Sequence, residues 1–274
     1  MTITDLDAHA LSAAVHARAV SCREVMQAYI ARIDRVNPGV NAIVSLQDSA
    51  DLLRQADARD AQLAQGTSLG WMHGMPQAIK DACETQGIRT TLGSPLLRDH
   101  VPAVDALMVA RMKAAGCIVV GKTNTPEFGL GSHTFNEVFG ITRNAYDATK
   151  SAGGSSGGAA VALATHMLPV ADGSDFMGSL RNPAAWNNVY GFRPSQGRVP
   201  RWPASDVWVA LLSTEGPMGR TVRDVAALLE VQAGYDPRVP LSVSAVERYA
   251  DRLNDFDIRG ARIGWLGDLG GYLA

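Results

Sequence analysis

Apolar residues along this chain alternate between helical spacing and short continuous runs. Near the N-terminus, Ser21 and Glu24 form a capping-box pattern. The apolar residues that follow recur every three or four positions, namely Val25, Tyr29, Ile33 and Val36. This spacing predicts an amphipathic helix, which the Asn37-Pro38 pair should end.

Other segments continue the alternation. Four have the length and spacing of helices: residues 49–64, 104–115, 157–167 and 221–233. Six short apolar runs are strand candidates: residues 41–45, 75–79, 117–120, 168–171, 189–192 and 262–266. Strands that alternate with helices predict an α/β sheet covered on both faces. Residues 157–167 are apolar on nearly all sides of the helix, so we expect them in the centre of the fold.

The composition narrows the class of protein. The chain has 274 residues, of which 46% are apolar and 19% are charged, and its formal net charge is −2. Because like charges form no long run, nucleic-acid binding is not expected. The most apolar window, residues 158–171, is too short to span a membrane. An acidic N-terminus without a secretory signal and three separated cysteines predict a soluble cytoplasmic protein with reduced thiols.

Two clusters of serine among glycines flank the apolar helix. They read GGSSGG at residues 153–158 and GSDFMGS at residues 173–179. Glycine allows a backbone to adopt unusual conformations or to approach a ligand closely. A hydroxyl beside such a backbone can act as a nucleophile, with peptide N–H groups available to bind an oxyanion. Either cluster alone is typical of a glycine-rich turn, but the two together, with an isolated lysine upstream, indicate a catalytic site.

Two known patterns occur in the wrong surroundings. Residues 116–123 match the phosphate-loop pattern GxxxxGK[ST], but their middle residues form a strand candidate rather than a loop. Residues 153–157 match the GxSxG pattern, whose histidine base should follow in the chain. The only later histidine is His166, which lies within the apolar helix. Lys80 remains as the base candidate, although a surface lysine paired with Asp81 explains the same segment equally well.

Several short motifs then follow one another along most of the chain. In order, they are Lys80-Asp81, 121–128, 153–158, 173–185, 191–195 and 216–221. Together they resemble the amidase signature family of serine hydrolases. The resemblance implies the amidase signature fold, an α/β architecture with a mixed β-sheet core covered by helices on both faces, and a missing C-terminal part. We accordingly divide the chain into an N-terminal helical region, residues 1–65, and a single catalytic α/β core, residues 66–274.

The resemblance also implies a role for each matching position. Ser179 corresponds to the acylated nucleophile and Lys80 to the base. Ser155 matches a serine that follows a cis peptide bond and relays protons between nucleophile and base. The oxyanion hole is expected from four backbone N–H groups, those of Phe176, Met177, Gly178 and Ser179. Structural support is expected from Gly154, Ser156, Asp175 and Arg181.

A lysine base requires an unusual environment. At pH 7 an ordinary lysine, with a pKa near about 10.4, is neutral in only about one molecule in a few thousand. Burial disfavours the charged form and lowers the pKa. We therefore expect Lys80 to be desolvated and bonded to hydroxyl groups.

The chain departs from the resembled family next to the nucleophile. Where the family commonly reads GTDTGGSIR, this chain reads GSDFMGSLR, so that Met177 replaces a glycine. A methionine adopts positive φ only at a steric cost. The loop should therefore keep its shape only if Met177 takes a negative φ, and Phe176 and Met177 should make the pocket narrower and more apolar.

The implied activity is hydrolysis of a carboxylic amide to an acid and ammonia or an amine, through an acyl-enzyme on Ser179. We expect a small-molecule amide as substrate, without cofactor, metal, nucleic acid or membrane, and a homodimer stays open. Two alternatives remain. The first alternative to an amidase is an amidase-like subunit of a glutamine-dependent aminoacyl-tRNA amidotransferase. The second is an inactive truncated form.

Overall fold

The computed structural model describes residues 2–204, 206–208, 212–244, 248–255, 257–265, 267–268 and 270–271. Within them the chain forms seven α-helices: α1 Ala8–His16, α2 Cys22–Val40, α3 Ser49–Ala64, α4 Leu107–Ala114, α5 Gly157–Ala164, α6 Arg181–Trp186 and α7 Val222–Gln232. It also forms eight strands: β1 Ile43–Val44, β2 Pro76–Lys80, β3 Ile118–Thr123, β4 Phe135–Asn136, β5 Gly140–Ile141, β6 Val170–Asp175, β7 Tyr190–Gly191 and β8 Thr214–Gly219.

The strands of the described residues form two three-stranded sheets and one short antiparallel pair, β4 with β5. The first sheet has the order β1-β3-β2, with β3 antiparallel to β1 and parallel to β2. The second has the order β6-β8-β7 and is antiparallel. Strand β2, at the edge of the first sheet, contacts β6, at the edge of the second. The fold is therefore a mixed α/β fold, as predicted.

Helix α5 lies at the centre of this arrangement. It contacts strands of both sheets, and Gly157 to Leu163 are all buried, as the apolar sequence predicts. The close packing depends on Gly158, where a Cβ atom would overlap the backbone nitrogen of Asn124. Instead, the N–H of Gly158 donates to the carbonyl of Asn124 at 3.2 Å. The start of α5, and with it the serine cluster before it, is thereby held against the end of β3.

Two sequence-based expectations about elements are wrong, and five observed elements are not predicted. Helix α2 does not end at Asn37-Pro38 but continues to Val40, with the left-handed cap at Asn41. The elements that the sequence pattern does not predict are α1, α6, β4, β5 and β8. Residues 262–265 form no strand: Ile263 is 76% exposed and Trp265 is 89% exposed, without a neighbouring strand among the described residues. Leu266, the last residue of that predicted strand, lies outside the described residues.

The remaining boundaries differ from prediction by a few residues. Strand β6 extends to Asp175, and β3 extends to Thr123. Because β3 includes Lys122 and Thr123, the phosphate-loop pattern forms a strand and not a loop, as the sequence indicated. None of the helices within the described part of the chain is both long and apolar enough to cross a membrane.

Candidate active site

Lys80 is the last residue of β2, and a carboxylate of the second sheet holds its backbone. The N–H of Lys80 donates to Oδ2 of Asp172 at 3.0 Å. The Nε2 atom of Gln77, on the same strand, donates to Oδ1 of Asp172 at 3.2 Å. Because β2 is an edge strand, its outward N–H groups need a partner outside the sheet. Asp172 supplies one and thereby joins β2 to β6.

The Lys80 side chain is 1% exposed and ends among three serine hydroxyls. Its Nζ atom lies 2.7 Å from Oγ of Ser155, 2.9 Å from Oγ of Ser156 and 2.9 Å from Oγ of Ser174. The alternative of a surface lysine paired with Asp81 is therefore wrong. The carboxylate of Asp81 instead accepts hydrogen bonds from the N–H and the hydroxyl of Thr91.

The directions of these hydrogen bonds suit a neutral lysine. The hydroxyl of Ser156 donates to the carbonyl of Ser174 at 3.3 Å, so its oxygen can only accept from Lys80. A neutral amine has two N–H groups and one lone pair. If the N–H groups donate to Ser156 and Ser174, the lone pair points to the hydroxyl of Ser155. In this arrangement Lys80 can take the proton of Ser155.

Burial lowers the pKa of Lys80 to about 7, although the negative charges of Asp172 and Asp175 act in the opposite direction. The neutral amine is therefore well populated at neutral pH, unlike that of an exposed lysine. Burial also raises the pKa of Asp172, while its hydrogen bond from the Lys80 N–H lowers it.

The turn before α5 connects this lysine to the expected nucleophile. The peptide bond between Gly154 and Ser155 is cis. The N–H of Ser156 donates to the carbonyl of Ser179 at 3.1 Å, which joins the two serine clusters directly. Ser155 is buried, whereas Ser179 is half-buried and faces the same cavity. The structure thus brings Lys80, Ser155 and Ser179 together.

The loop before Ser179 offers three free N–H groups rather than four. The N–H of Gly178 donates to Oδ1 of Asp175 at 2.7 Å, so the expectation that it belongs to the oxyanion hole is corrected. The N–H groups of Phe176, Met177 and Ser179 have no hydrogen-bond acceptor among the described residues. They remain available for a developing negative charge.

Asp175 organises this loop. Its carboxylate accepts the N–H groups of Gly178, Leu180 and Arg181, and the guanidinium of Arg181 binds it in a bidentate manner at 2.9 and 3.0 Å. Burial alone would raise the pKa of Asp175, but the hydrogen bonds from Arg181, Gly178 and Leu180 lower it to about 2. Asp175 and Arg181 thus hold the backbone around Ser179 through these bonds, and their role as structural support stays a prediction.

Met177 fits this loop without a positive φ. It is not among the non-glycine residues with positive φ, whereas its neighbour Gly178 has φ of +115°. The left-handed position thus falls on the glycine that the chain retains. The Met177 side chain is 82% exposed and lines the mouth of the cavity together with Phe176.

The cavity that contains these groups has a volume of about 540 Å³. Phe128, Leu130 and Met108 form apolar parts of its wall. Polar residues that the sequence pattern does not indicate also line it, namely Cys83, Asp172, Arg201 and Glu215. The signal for Asp172 is an acidic residue inside an apolar strand, whereas the others carry no local pattern. His166 is not among the lining residues, and its Nδ1 lies 3.1 Å from the carbonyl of Thr4.

The fold is that of a class of amide-hydrolysing enzymes. The family model for amidases matches residues 24–272. The chain therefore belongs to the amidase signature family.

Similar proteins fall into two groups. Among curated relatives, a glutamyl-tRNA(Gln) amidotransferase subunit from Acidothermus cellulolyticus is 42% identical over 95% of this chain and 52% of its own length. The corresponding subunit from Thermus thermophilus is 43% identical over 90% of this chain and 50% of its own. The chain thus spans about half the length of these relatives.

Solved structures form the second group. A bacterial aryl acylamidase superposes with a TM-score of 0.87 at 36% identity, covering 91% of this chain and 52% of its own. The peptide amidase from Stenotrophomonas maltophilia superposes with a TM-score of 0.81 at 34% identity, covering 91% of this chain and 53% of its own.

Proposed function

We propose that the chain is the lysine- and serine-bearing part of an amidase, which hydrolyses a carboxylic amide through an acyl-enzyme on Ser179. The observation that supports this proposal most directly is the 2.7 Å contact between Nζ of buried Lys80 and Oγ of Ser155, in the cavity that Ser179 also lines. We place the protein in the cytoplasm, in line with its reduced, buried cysteines.

In the first step, Oγ of Ser179 attacks the carbonyl carbon of the amide. Its proton passes to Ser155, whose own proton passes to the lone pair of Lys80. The carbonyl oxygen becomes an oxyanion, which the N–H groups of Phe176, Met177 and Ser179 stabilise. The tetrahedral intermediate then collapses with cleavage of the C–N bond.

The relay then operates in the opposite direction. Lys80 returns its proton to Ser155, and Ser155 protonates the leaving nitrogen, which departs as ammonia or an amine. Water attacks the ester on Ser179 with the same base assistance and releases the carboxylic acid. All protons balance, and the residues return to their initial states.

The test compares two site variants with two surface controls. We expect Ser179→Ala and Lys80→Ala each to lower kcat for amide hydrolysis by at least about 10³-fold. Ser49→Ala and Lys150→Ala, at exposed positions outside the cavity, should retain full activity. Ammonia release from a panel of primary and aryl amides measures turnover. Full activity in either site variant contradicts the proposal.

A second candidate function follows from the curated relatives, which are named as subunits of an amidotransferase. In that case the chain would supply ammonia within a complex rather than act alone. Ammonia release from simple amides by the purified chain favours the amidase, whereas turnover only with a partner protein favours the amidotransferase. If Ser179 is not labelled by an acylating fluorophosphonate probe under either condition, the chain is an inactive form.

A further inference from the structure

A carboxyl group in the wall of the catalytic cavity has only distant partners. Glu215 lies on β8, and its side chain is 9% exposed. Its nearest polar contacts are the thiol of Cys83, 3.8 Å from Oε1, and Nε of Arg201, 3.9 Å from the same atom. Among the described residues, no nitrogen or oxygen lies within hydrogen-bond distance of this carboxyl group. Buried carboxyl groups are normally satisfied by such bonds, so this one is available to a ligand.

The strand register places Glu215 beside the catalytic lysine. Glu215 is paired with Ser174 across the antiparallel ladder of β6 and β8. Directly paired residues point to the same face of a sheet, with Cβ atoms about 5 Å apart. Because Oγ of Ser174 is 2.9 Å from Nζ of Lys80, the Glu215 carboxyl group faces the region where the substrate is attacked.

The charges around this carboxyl group favour a cation or an N–H donor. The titratable groups that act on it are Arg201, Asp172, Cys83 and Lys80. The form of Lys80 that acts as a base is the neutral amine, so it adds no charge. Burial keeps the pKa of Cys83 well above its ordinary value, so the thiol is neutral as well. Arg201 is then the cation that faces Glu215, while buried Lys122 also acts on Asp172. When Glu215 is ionised, its nearest cation is 3.9 Å away, so a closer cation or N–H donor would be favoured.

We propose that Glu215 is a specificity-determining residue that binds an ammonium or amino group of the substrate, so that the substrate class is amino-substituted carboxylic amides. The inference rests on the proposed amidase function and goes beyond it by naming the substrate class. The half-exposed guanidinium of Arg201 screens the carboxylate in the empty cavity, and the substrate amine takes its place as the closer partner.

The first experiment separates binding from turnover. The affinity of the Ser179→Ala variant is measured by calorimetry for matched pairs, 5-aminopentanamide against hexanamide and 4-aminobutanamide against pentanamide. We expect at least about tenfold tighter binding of the amino member at pH 8. Burial raises the pKa of Glu215 to about 7, so this preference should decrease between pH 8 and pH 6 while the ligand amine stays protonated.

The second experiment removes the charge. In the Glu215→Gln variant, the preference for the amino member should fall to less than about twofold. The matched control is Glu137→Gln, which makes the same change at an exposed carboxylate outside the cavity and should retain the preference. An unchanged preference in Glu215→Gln overturns the inference. Equal binding of both members of each pair to the parent protein would also overturn the inference.

A third variant keeps the test decisive if Glu215→Gln does not fold, which circular dichroism would reveal. Arg201→Gln removes the screening cation, so the preference for amino ligands should increase several-fold. A decrease would overturn the inference. Failure of the proposed function has a different signature, since it appears as no labelling of Ser179 and no turnover of any amide, whatever ligands bind.

Discussion

Lys80 shows, at the level of one residue, how burial lowers the pKa of an amine toward neutrality. Its pKa of about 7 predicts that kcat/KM for a neutral amide falls below pH 7, by about tenfold per pH unit, because only the neutral amine accepts a proton. The pH profile of amide hydrolysis measures this limb. A profile that stays flat down to pH 5 contradicts the assignment of Lys80 as the base.

The pKa of Glu215 is also about 7, so the Glu215→Gln variant distinguishes the titration of Glu215 from that of Lys80. In Glu215→Gln the acidic limb should persist and move to lower pH, because the negative charge that interacts with protonated Lys80 is gone. Disappearance of the limb in this variant would assign it to Glu215 instead.

Asp175 combines a depressed pKa with a supporting role, which predicts a large loss on removal of its charge. We expect Asp175→Asn to lower the free energy of unfolding by about 2–4 kcal/mol, since the Arg181 guanidinium and three N–H groups lose their anionic acceptor. Urea denaturation measures this value. The control is Asp57→Asn, whose carboxylate pairs with Arg23 at an exposed site and should contribute less than about 1 kcal/mol.

The pH dependence of this contribution follows from the sign of the shift. A depressed folded pKa favours folding above the unfolded value of about 3.9, and this contribution is lost as the pH falls toward 2. The difference in stability between the parent protein and Asp175→Asn should therefore shrink between pH 5 and pH 2. A difference that does not change over this range contradicts the assigned ion pair.

Met177 lines the cavity with a side chain that is 82% exposed, and we predict that it narrows the pocket. We expect Met177→Gly to increase kcat/KM for bulky aryl amides several-fold relative to acetamide. The free energy of unfolding should fall by only about 0.5–1 kcal/mol, because glycine adds backbone freedom at this negative-φ position. Met177→Leu, which keeps the volume, should resemble the parent protein. Loss of activity on all amides in Met177→Gly would show instead that the methionine shapes the oxyanion loop.

At the scale of elements, close packing of α5 against the end of β3 depends on one glycine. A Cβ atom at position 158 would overlap backbone atoms of Asn124 and Ala42, so Gly158→Ala should lower the free energy of unfolding by at least about 3 kcal/mol. The control is Gly39→Ala, near the end of α2. A Cβ atom there meets nothing within 4 Å, so the variant should gain up to about 1 kcal/mol. Thermal unfolding of the two variants measures the contrast, and equal effects contradict it.

The sequence predicts those elements whose local residue preferences agree with the structure that burial and pairing impose on them. Strand β8 escapes prediction because it reads TEGPMG, and glycine and proline argue against a strand. Pro217 is tolerated because β7 pairs only with Met218 and Gly219. On that side of β8, Pro217 needs only its carbonyl, which accepts the N–H of Phe192, the residue after β7. Pairing with β6 thus outweighs the local preference.

The end of α2 shows the same effect. Pro38 removes the one N–H that would bond four residues back, and the helix continues for only two residues beyond it. The Asn37 side chain accepts the N–H groups of Ala42 and Ile43, which joins the helix end to β1. A contact with a later element therefore decides where the helix ends, and no local pattern contains it.

For the site, short motifs predict which residues meet but not what surrounds them. Lys80, Ser155 and Ser179 lie in motifs whose order along the chain is recognisable. Asp172 and Glu215 reach the cavity only because β6 pairs with β8 in one register. Pairing between strands that are distant in sequence sets those positions, so they become visible only in the structure.

At the scale of the whole molecule, the helices before residue 65 share one core with the rest of the chain. Leu11 and Tyr29 belong to the same buried cluster as Leu163 and Met218. Polar contacts cross the same boundary: Asp224 accepts the N–H of His9 at 3.0 Å, and Nε of Arg32 donates to the carbonyl of Thr165 at 2.7 Å. Strand β1 also pairs with β3. The sequence-based division at residue 65 stays a prediction, and its consequence is testable.

These shared contacts predict that residues 66–274 do not fold alone. Without residues 1–65, β3 loses its partner β1. The apolar surfaces of the remaining chain that α2 and α3 cover then become exposed to water. Far-UV circular dichroism and urea titration of the 66–274 fragment should show no cooperative transition. Co-expression with a separate fragment of residues 1–65 should restore one, because the break falls at exposed Gln65 and Gly66. Cooperative unfolding of the 66–274 fragment alone would instead make the N-terminal helices an accessory region and the catalytic core independent.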